Sequence, residues 1–128
     1  TWVGLESLTL ERVLGGFLQP LAWALGIPWD EAQLAGSLIG QKFILNEFVA
    51  YVSYGEVASE LSANSQAIVI FALCGFANVG SLGVLIGGLS VLVPERKAEY
   101  LAIAPKSVLA GTAVTLVTGA LVGLISAL

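Results

Sequence analysis

The sequence LCGFANVGSLG, at residues 73–83, interrupts an apolar block that runs over residues 61–94 without a charged side chain. The block is long enough for a bilayer-spanning helix, which needs roughly 20 apolar residues. Its midpoint, however, contains glycines together with Asn78 and Ser81, and lipid cannot hydrogen-bond an unwound backbone. The stretch therefore predicts a broken transmembrane helix whose midpoint lines a polar cavity or contacts protein.

The overall composition indicates a membrane protein. Hydrophobic residues make up 57% of the chain and charged residues 11%, whereas soluble domains contain roughly 25% charged residues. The formal net charge of −4 includes only five basic residues, so the chain lacks the basic tract of a nucleic-acid-binding protein. One cysteine and no histidine exclude a disulfide framework and a soft metal site, and we expect no cofactor.

The first unit, residues 1–27, predicts a helix at the membrane interface. Glu11, Arg12 and Gln19 recur among its leucines, which is typical of an amphipathic helix. Pro20 is expected to divide the run into pieces that are too short to span a bilayer. We therefore expect this unit to lie along the membrane surface rather than to cross it.

The second unit, residues 30–58, predicts a re-entrant helical hairpin. Lys42 and Glu47 lie near its middle, and on one continuous helix they would be about 140° apart, so no single face would present both. A turn within residues 41–46 gives two arms of about 11 residues, each roughly 16 Å long, which is half the hydrocarbon thickness. Asn46 is then the N-cap of the second arm, and Glu47 lies in its first turn, where exposed backbone N–H groups favour an anion.

Two further units complete the chain. We expect the broken helix to cover residues 64–93, with arms at residues 66–74 and 82–93, and a terminal transmembrane helix to cover residues 104–128. Basic residues in the connection at residues 93–100 place this loop in the cytoplasm by the positive-inside rule. The terminal unit carries small residues that predict a face for close helix packing: Gly111, Thr112, Thr115, Thr118, Gly119 and Gly123.

Each candidate site residue also has a structural interpretation. Glu47 could pair with Lys42, whose long side chain could instead snorkel or bond carbonyl groups at the hairpin tip. Asn78 and Ser81 could satisfy helix ends, and Phe76 could serve packing alone. Taken together, however, a carboxylate at one midplane interruption and an amide with a hydroxyl at the other match the sites of secondary transporters. These groups suit the hydroxyls of a small polar solute such as a sugar.

Two motifs are similar to those of the concentrative nucleoside transporters. The sequence GQKFILNEFVAY at residues 40–51 resembles the signature of that family, and ALCGFANVGSLG at residues 72–83, followed by IGGL at residues 86–89, resembles its second hallmark. The likeness covers essentially the whole chain and corresponds to the C-terminal part of such a transporter. It agrees with our expectation that the chain, which begins at Thr1 without a signal-peptide pattern, is a segment of a longer protein.

The resemblance implies an all-α membrane fold and symport of nucleosides with sodium or a proton across the cytoplasmic membrane. Members of the family are homotrimers. Each subunit has two inverted repeats, each with a re-entrant hairpin and a broken helix, and its transport domain moves as an elevator against a scaffold. By this resemblance the chain is the second repeat, in which Glu47, Asn78 and Ser81 hydrogen-bond the ribose and Phe76 lines the same pocket. The first repeat is expected to contact the nucleobase and, in sodium-coupled members, the ion.

Two other classes of function stay open at this point. A channel or a structural membrane subunit would use the midplane breaks to line a continuous pore or merely to pack. A membrane enzyme is disfavoured, because the chain has no histidine, no metal-ligand spacing and no nucleophile–base pair, which leaves Glu47 as the one plausible acid or base. The sequence therefore favours a transporter over an enzyme.

Overall fold

The structure is a computed structural model that describes residues 9–128. The predicted interfacial unit also includes residues 1–8, which lie outside the described residues. Within residues 9–128 all regular structure is helical, which confirms the all-α prediction. The elements follow in the order α1 (Leu10–Ala24), α2 (Trp29–Ile44), α3 (Glu47–Val57), a 3-10 turn (Ala58–Glu60), α4 (Ala63–Leu73), α5 (Val79–Leu92), a second 3-10 turn (Pro94–Arg96) and α6 (Lys97–Ser126).

The backbones of α1 and α2 lie very close together where the two helices pack, because glycines occupy the contact. A Cβ atom built on Gly15 would lie 2.7 Å from the carbonyl oxygen of Gln33, and one built on Gly36 would lie 3.0 Å from the carbonyl oxygen of Gly15. Small residues of this kind let two helix backbones approach closely. The crossing holds α1 against the first arm of the helical hairpin.

The prediction that Pro20 divides the first unit is wrong. Helix α1 continues through Pro20, and Gly15 and Ala22 are buried on either side of it. A proline inside a helix removes one backbone hydrogen bond, but the burial of its neighbours against the rest of the chain keeps the segment helical. Tertiary packing therefore overrides the local preference.

Helices α2 and α3 form a helix–break–helix unit with the break at residues 45–46. Asn46 caps α3 as predicted: its backbone is extended (φ −168°, ψ 171°) and its side-chain oxygen accepts the Val49 N–H at 2.9 Å. Glu47 lies in the first turn of α3, also as predicted. The depth of this unit in a membrane stays a prediction.

Helices α4 and α5 are separated by residues 74–78, inside the stretch that predicts a broken helix. Helix α5 begins at Val79 rather than at the predicted residue 82, because Asn78 caps it by accepting the Ser81 N–H at 2.7 Å. Ser81 consequently lies in the first turn of α5, not in the unwound midpoint to which the sequence analysis assigned it.

Helix α6 starts earlier than predicted and supplies the predicted packing face. It begins at Lys97 instead of residue 104 and continues through Pro105. The segment Pro94–Ser126 is the one helical segment within residues 9–128 that is long and apolar enough to cross a membrane. A Cβ atom built on Gly119 would lie 2.8 Å from the Ile68 carbonyl oxygen, so α6 packs directly on the α4 backbone.

The interior is small and is formed mainly by α2 and α4, with α1 packed on α2 and α6 packed on α4. Its most buried side chains include Leu38 of α2 and Ile68 and Leu73 of α4. Helix α5 has no buried residue by contrast, and Val84 and Val91 on it are largely exposed. An apolar surface of this extent suits contact with lipid or with further protein.

Candidate functional site

The two helix breaks meet, and the meeting point joins three of the predicted site residues. The Asn78 Nδ2 atom donates a hydrogen bond to Glu47 Oε2 at 3.0 Å. The Asn78 Oδ1 atom accepts hydrogen bonds from the Ser81 backbone N–H at 2.7 Å and from the Ser81 hydroxyl at 3.0 Å. A carboxylate, an amide and a hydroxyl therefore form one continuous network.

Both breaks use the same local chemistry. Asn46 and Asn78 each have an extended backbone and accept an N–H of the helix that follows. An asparagine cap of this kind satisfies one of the free donors at a helix N-terminus. The N-termini of α3 and α5 thus converge on the network, and their positive dipole ends favour an anion such as the Glu47 carboxylate.

A glycine permits this convergence. A Cβ atom built on Gly80, in the first turn of α5, would lie 3.6 Å from the carbonyl oxygen of Leu45 and 3.3 Å from Asn78 Oδ1. The first distance is an ordinary van der Waals contact, and the second is tight, so a side chain here would crowd the Asn78 cap while it touched the hairpin tip. Of the glycines in this stretch, Gly80 is the one beside the hairpin tip, whereas Gly75 faces Thr115 of α6 and nothing lies within 4 Å of a Cβ atom built on Gly83.

The three side chains of the network differ in their exposure to solvent. Asn78 is only 2% exposed, whereas Glu47 and Ser81 are half-buried. The second carboxylate oxygen of Glu47, Oε1, has no hydrogen-bond partner within residues 9–128. Asn78 therefore holds the two neighbouring side chains, and Glu47 retains a free acceptor.

A cavity of about 640 Å³ opens beside the network. Phe76 is 77% exposed and Phe48 is 72% exposed, so two aromatic rings are available to a molecule inside it. Cavities of roughly 300 to 1,000 Å³ with a few placed polar groups are typical of small-molecule sites. Its lining comprises Leu45, Asn46, Glu47, Phe48, Phe76, Asn78, Gly80, Ser81, Val84 and Leu85.

Lys42 does not neutralise Glu47 through an ion pair. The one ion pair between side chains within residues 9–128 joins Arg96 to Glu99. Lys42 is 1% exposed and donates a hydrogen bond from Nζ to Thr115 Oγ1 at 3.4 Å. Two structural interpretations of the lysine, pairing with Glu47 and snorkelling outward, are therefore wrong.

Tyr51 is a residue whose role the sequence analysis missed. Its hydroxyl, on α3, donates to the Ile70 carbonyl oxygen of α4 at 2.8 Å. In an unbroken helix the N–H of Cys74 would take that carbonyl, but here it donates to Phe71 instead. Tyr51 thus satisfies a carbonyl that the break leaves free. The motif at residues 40–51 contains Tyr51, but sequence alone gives no sign of the partner.

Comparison with known proteins identifies the family. The family model described as "Na+ dependent nucleoside transporter C-terminus" matches residues 1–123. The chain belongs to this family. Nucleoside permease NupC of Helicobacter pylori is 45% identical over 125 residues, which cover 94% of this chain and 30% of the relative. Sodium/nucleoside cotransporter 1 of Homo sapiens is 30% identical over 144 residues, which cover 98% of this chain and 22% of the relative.

A solved structure supports the same relationship. The structure of CNTnw in an inward-facing substrate-bound state superposes with a TM-score of 0.89 at 46% identity, covering 94% of this chain and 30% of that chain. The chain therefore spans less than a third of the length of these relatives. As a member of a transporter family, it is part of an integral membrane protein.

Proposed function

We propose that this chain is the second repeat of a nucleoside symporter and supplies the ribose-binding side of its substrate site. The observation that carries the proposal is the Glu47–Asn78–Ser81 network, which stands where two helix breaks meet and beside a cavity of about 640 Å³. The family description and the name of the human relative favour sodium over a proton as the coupling ion.

The proposed ribose contacts follow from the hydrogen-bonding capacity that the network leaves unused. Glu47 Oε1 accepts one sugar hydroxyl, since its other oxygen is occupied by Asn78. The Ser81 hydroxyl donates to Asn78, so its lone pairs accept a second sugar hydroxyl. Asn78 orients both groups, and its amide has one further N–H to offer. The Phe76 ring covers an apolar face of the ligand.

The remaining elements of the proposal concern the membrane topology of this chain and the parts of the transporter outside it. The α2–α3 hairpin is re-entrant and the α4–α5 unit crosses the membrane as a broken helix, so that the network lies near the midplane. The first repeat contacts the nucleobase and binds the coupling ion. The intact protein is a homotrimer in the cytoplasmic membrane, and its transport domain moves as an elevator against a scaffold.

Uptake by the intact protein in proteoliposomes tests this function. We expect saturable accumulation of radiolabelled uridine that requires an inward gradient of sodium and stops when the gradient is dissipated. A proton-coupled protein would instead respond to an inward proton gradient. Equilibration without accumulation, at a rate proportional to uridine concentration, would indicate the channel alternative and reject the proposal.

Ser81→Ala should reduce the discrimination between ribose and a sugar that lacks hydroxyls. The substitution removes an acceptor for one sugar hydroxyl, and a neutral hydrogen bond contributes about 1 kcal/mol, or roughly fivefold in affinity. We expect the KM for uridine to rise by that factor while the KM for 2′,3′-dideoxyuridine stays the same. Ser90→Ala is the control, because Ser90 lies on the same helix and its hydroxyl contacts Tyr100. An equal loss for both substrates would indicate a structural role for Ser81.

A further inference from the structure

The buried ammonium group of Lys42 has one hydrogen-bond partner within residues 9–128, and that partner lies on a different helical unit. Lys42 stands near the end of α2, three positions before the break, and its Nζ donates to Thr115 Oγ1 of α6 at 3.4 Å. A charge removed from water costs free energy unless it is paired or hydrogen-bonded. Intramembrane ionisable residues are therefore retained for function by default.

The Thr115 hydroxyl is oriented to receive this ammonium group. It donates its own proton to the Thr112 carbonyl oxygen at 2.9 Å, which leaves its lone pairs free to accept from Lys42. The orientation is set by a hydrogen bond within α6 and does not depend on Lys42. In the Lys42–Thr115 hydrogen bond the ammonium group is therefore the donor and the Thr115 oxygen is the acceptor.

The same turn of α6 also holds the break between α4 and α5. A Cβ atom built on Gly75 would lie 2.5 Å from Thr115 Cγ2, and one built on Gly111 would lie 2.9 Å from the Cβ of Ala77. The Thr112 hydroxyl reaches the Ala77 carbonyl oxygen at 3.5 Å. Thr115 thus contacts the hairpin through its hydroxyl and the broken helix through its methyl group.

We infer that Lys42 is a positioning residue that fixes the hairpin tip against the broken helix through Thr115. This inference rests on the proposed function, because the tip carries Glu47 and the broken helix carries Asn78. Their contact at 3.0 Å depends on the distance between the two units. The Lys42–Thr115 bond ties the hairpin to α6, and α6 in turn contacts the broken helix at Gly75 and Ala77. Without this bond, the position of the Glu47 carboxylate relative to Asn78 and the cavity would be less well fixed.

Thermal unfolding of the intact protein in detergent tests the bond itself. Thr115→Val keeps the methyl contact with Gly75 but leaves the buried ammonium without its acceptor, so we expect the Tm to fall by about 5 °C. In a Lys42→Met background the same change should alter the Tm little, because no ammonium is then left unpaired. Thr115→Ser keeps the hydroxyl and should not depend on the Lys42 background. An equal effect of Thr115→Val in both backgrounds would overturn the inference.

Substrate selectivity tests the positioning role separately from stability. Lys42→Met keeps a side chain of similar length and removes the cost of burying an ammonium group, so this variant should fold. We nevertheless expect it to lower the preference for uridine over 2′,3′-dideoxyuridine about tenfold, since small misplacements of a binding group carry large effects. Wild-type selectivity in Lys42→Met would reduce the lysine to a structural role and overturn the inference. If the intact protein transports no nucleoside, the proposed function fails, while the unfolding comparison still decides whether the bond exists.

Discussion

Glu47→Gln should lower the uptake efficiency for uridine, the maximal rate divided by KM, roughly 30- to 160-fold. The glutamine oxygen can still accept the Asn78 amide that now donates to Glu47 Oε2 at 3.0 Å, so the network itself survives. The glutamine nitrogen then faces the cavity and places a donor where a sugar hydroxyl requires an acceptor. A hydrogen bond to a charged group contributes about 2–3 kcal/mol, which gives the expected factor.

Initial rates of radiolabelled uridine uptake over a concentration series measure this effect. Glu56→Gln provides the matched control, because Glu56 is an exposed acid on the same helix, α3. Its substitution changes the net charge equally and should leave uptake unchanged. The amount of folded protein in the membrane should be the same for both variants. Wild-type efficiency in Glu47→Gln would remove Glu47 from the substrate site.

The two helix breaks could be predicted from sequence because their signals are local. Polar groups in the middle of apolar segments conflict with a continuous span, and an asparagine before a helical run is a preferred N-cap. Asn46 and Asn78 both act as caps in the structure. The cap at Asn78 could have been predicted by the same reasoning as that at Asn46, which would have placed Ser81 inside α5.

Helix boundaries near prolines were predicted less well. Pro20 lies inside α1, and Pro105 lies inside α6. Proline disfavours a helix interior by about 3 kcal/mol, and the predicted division at Pro20 depended on that penalty alone. In the structure, neighbours of each proline are buried, including Ala22 and Ala104. The sequence does not reveal how much packing is available to offset the penalty.

The tertiary contacts of the site could not be predicted from the residues themselves. Asn78 and Glu47 are 31 positions apart, and Lys42 and Thr115 are 73 positions apart. Lys42 and Glu47 looked like natural partners because they are close in sequence and opposite in charge. The structure gives the lysine a hydroxyl on α6 instead, because the hairpin tip turns Glu47 toward α5.

Gly119→Ala should destabilise the protein by about 1–3 kcal/mol, although it adds a single methyl group. A Cβ atom at this position would lie 2.8 Å from the Ile68 carbonyl oxygen and 3.2 Å from the Ala72 backbone nitrogen, both in α4. Backbone atoms inside a helix cannot move aside as the end of a flexible side chain can. The two helices would have to separate, and the buried side chain of Ile68 would lose contacts with α6.

Gly55→Ala is the control that separates this clash from the intrinsic cost of glycine in a helix. Nothing lies within 4 Å of a Cβ atom built on Gly55, so the alanine there should stabilise α3 by up to about 1 kcal/mol. Thermal unfolding in detergent should therefore move in opposite directions for the two variants. Because α4 leads directly into the break at residues 74–78, Gly119→Ala should also raise the KM for uridine. Equal stabilisation by both alanines would contradict the direct contact between the α4 and α6 backbones. It would also contradict the inference that α6 supports the break at residues 74–78.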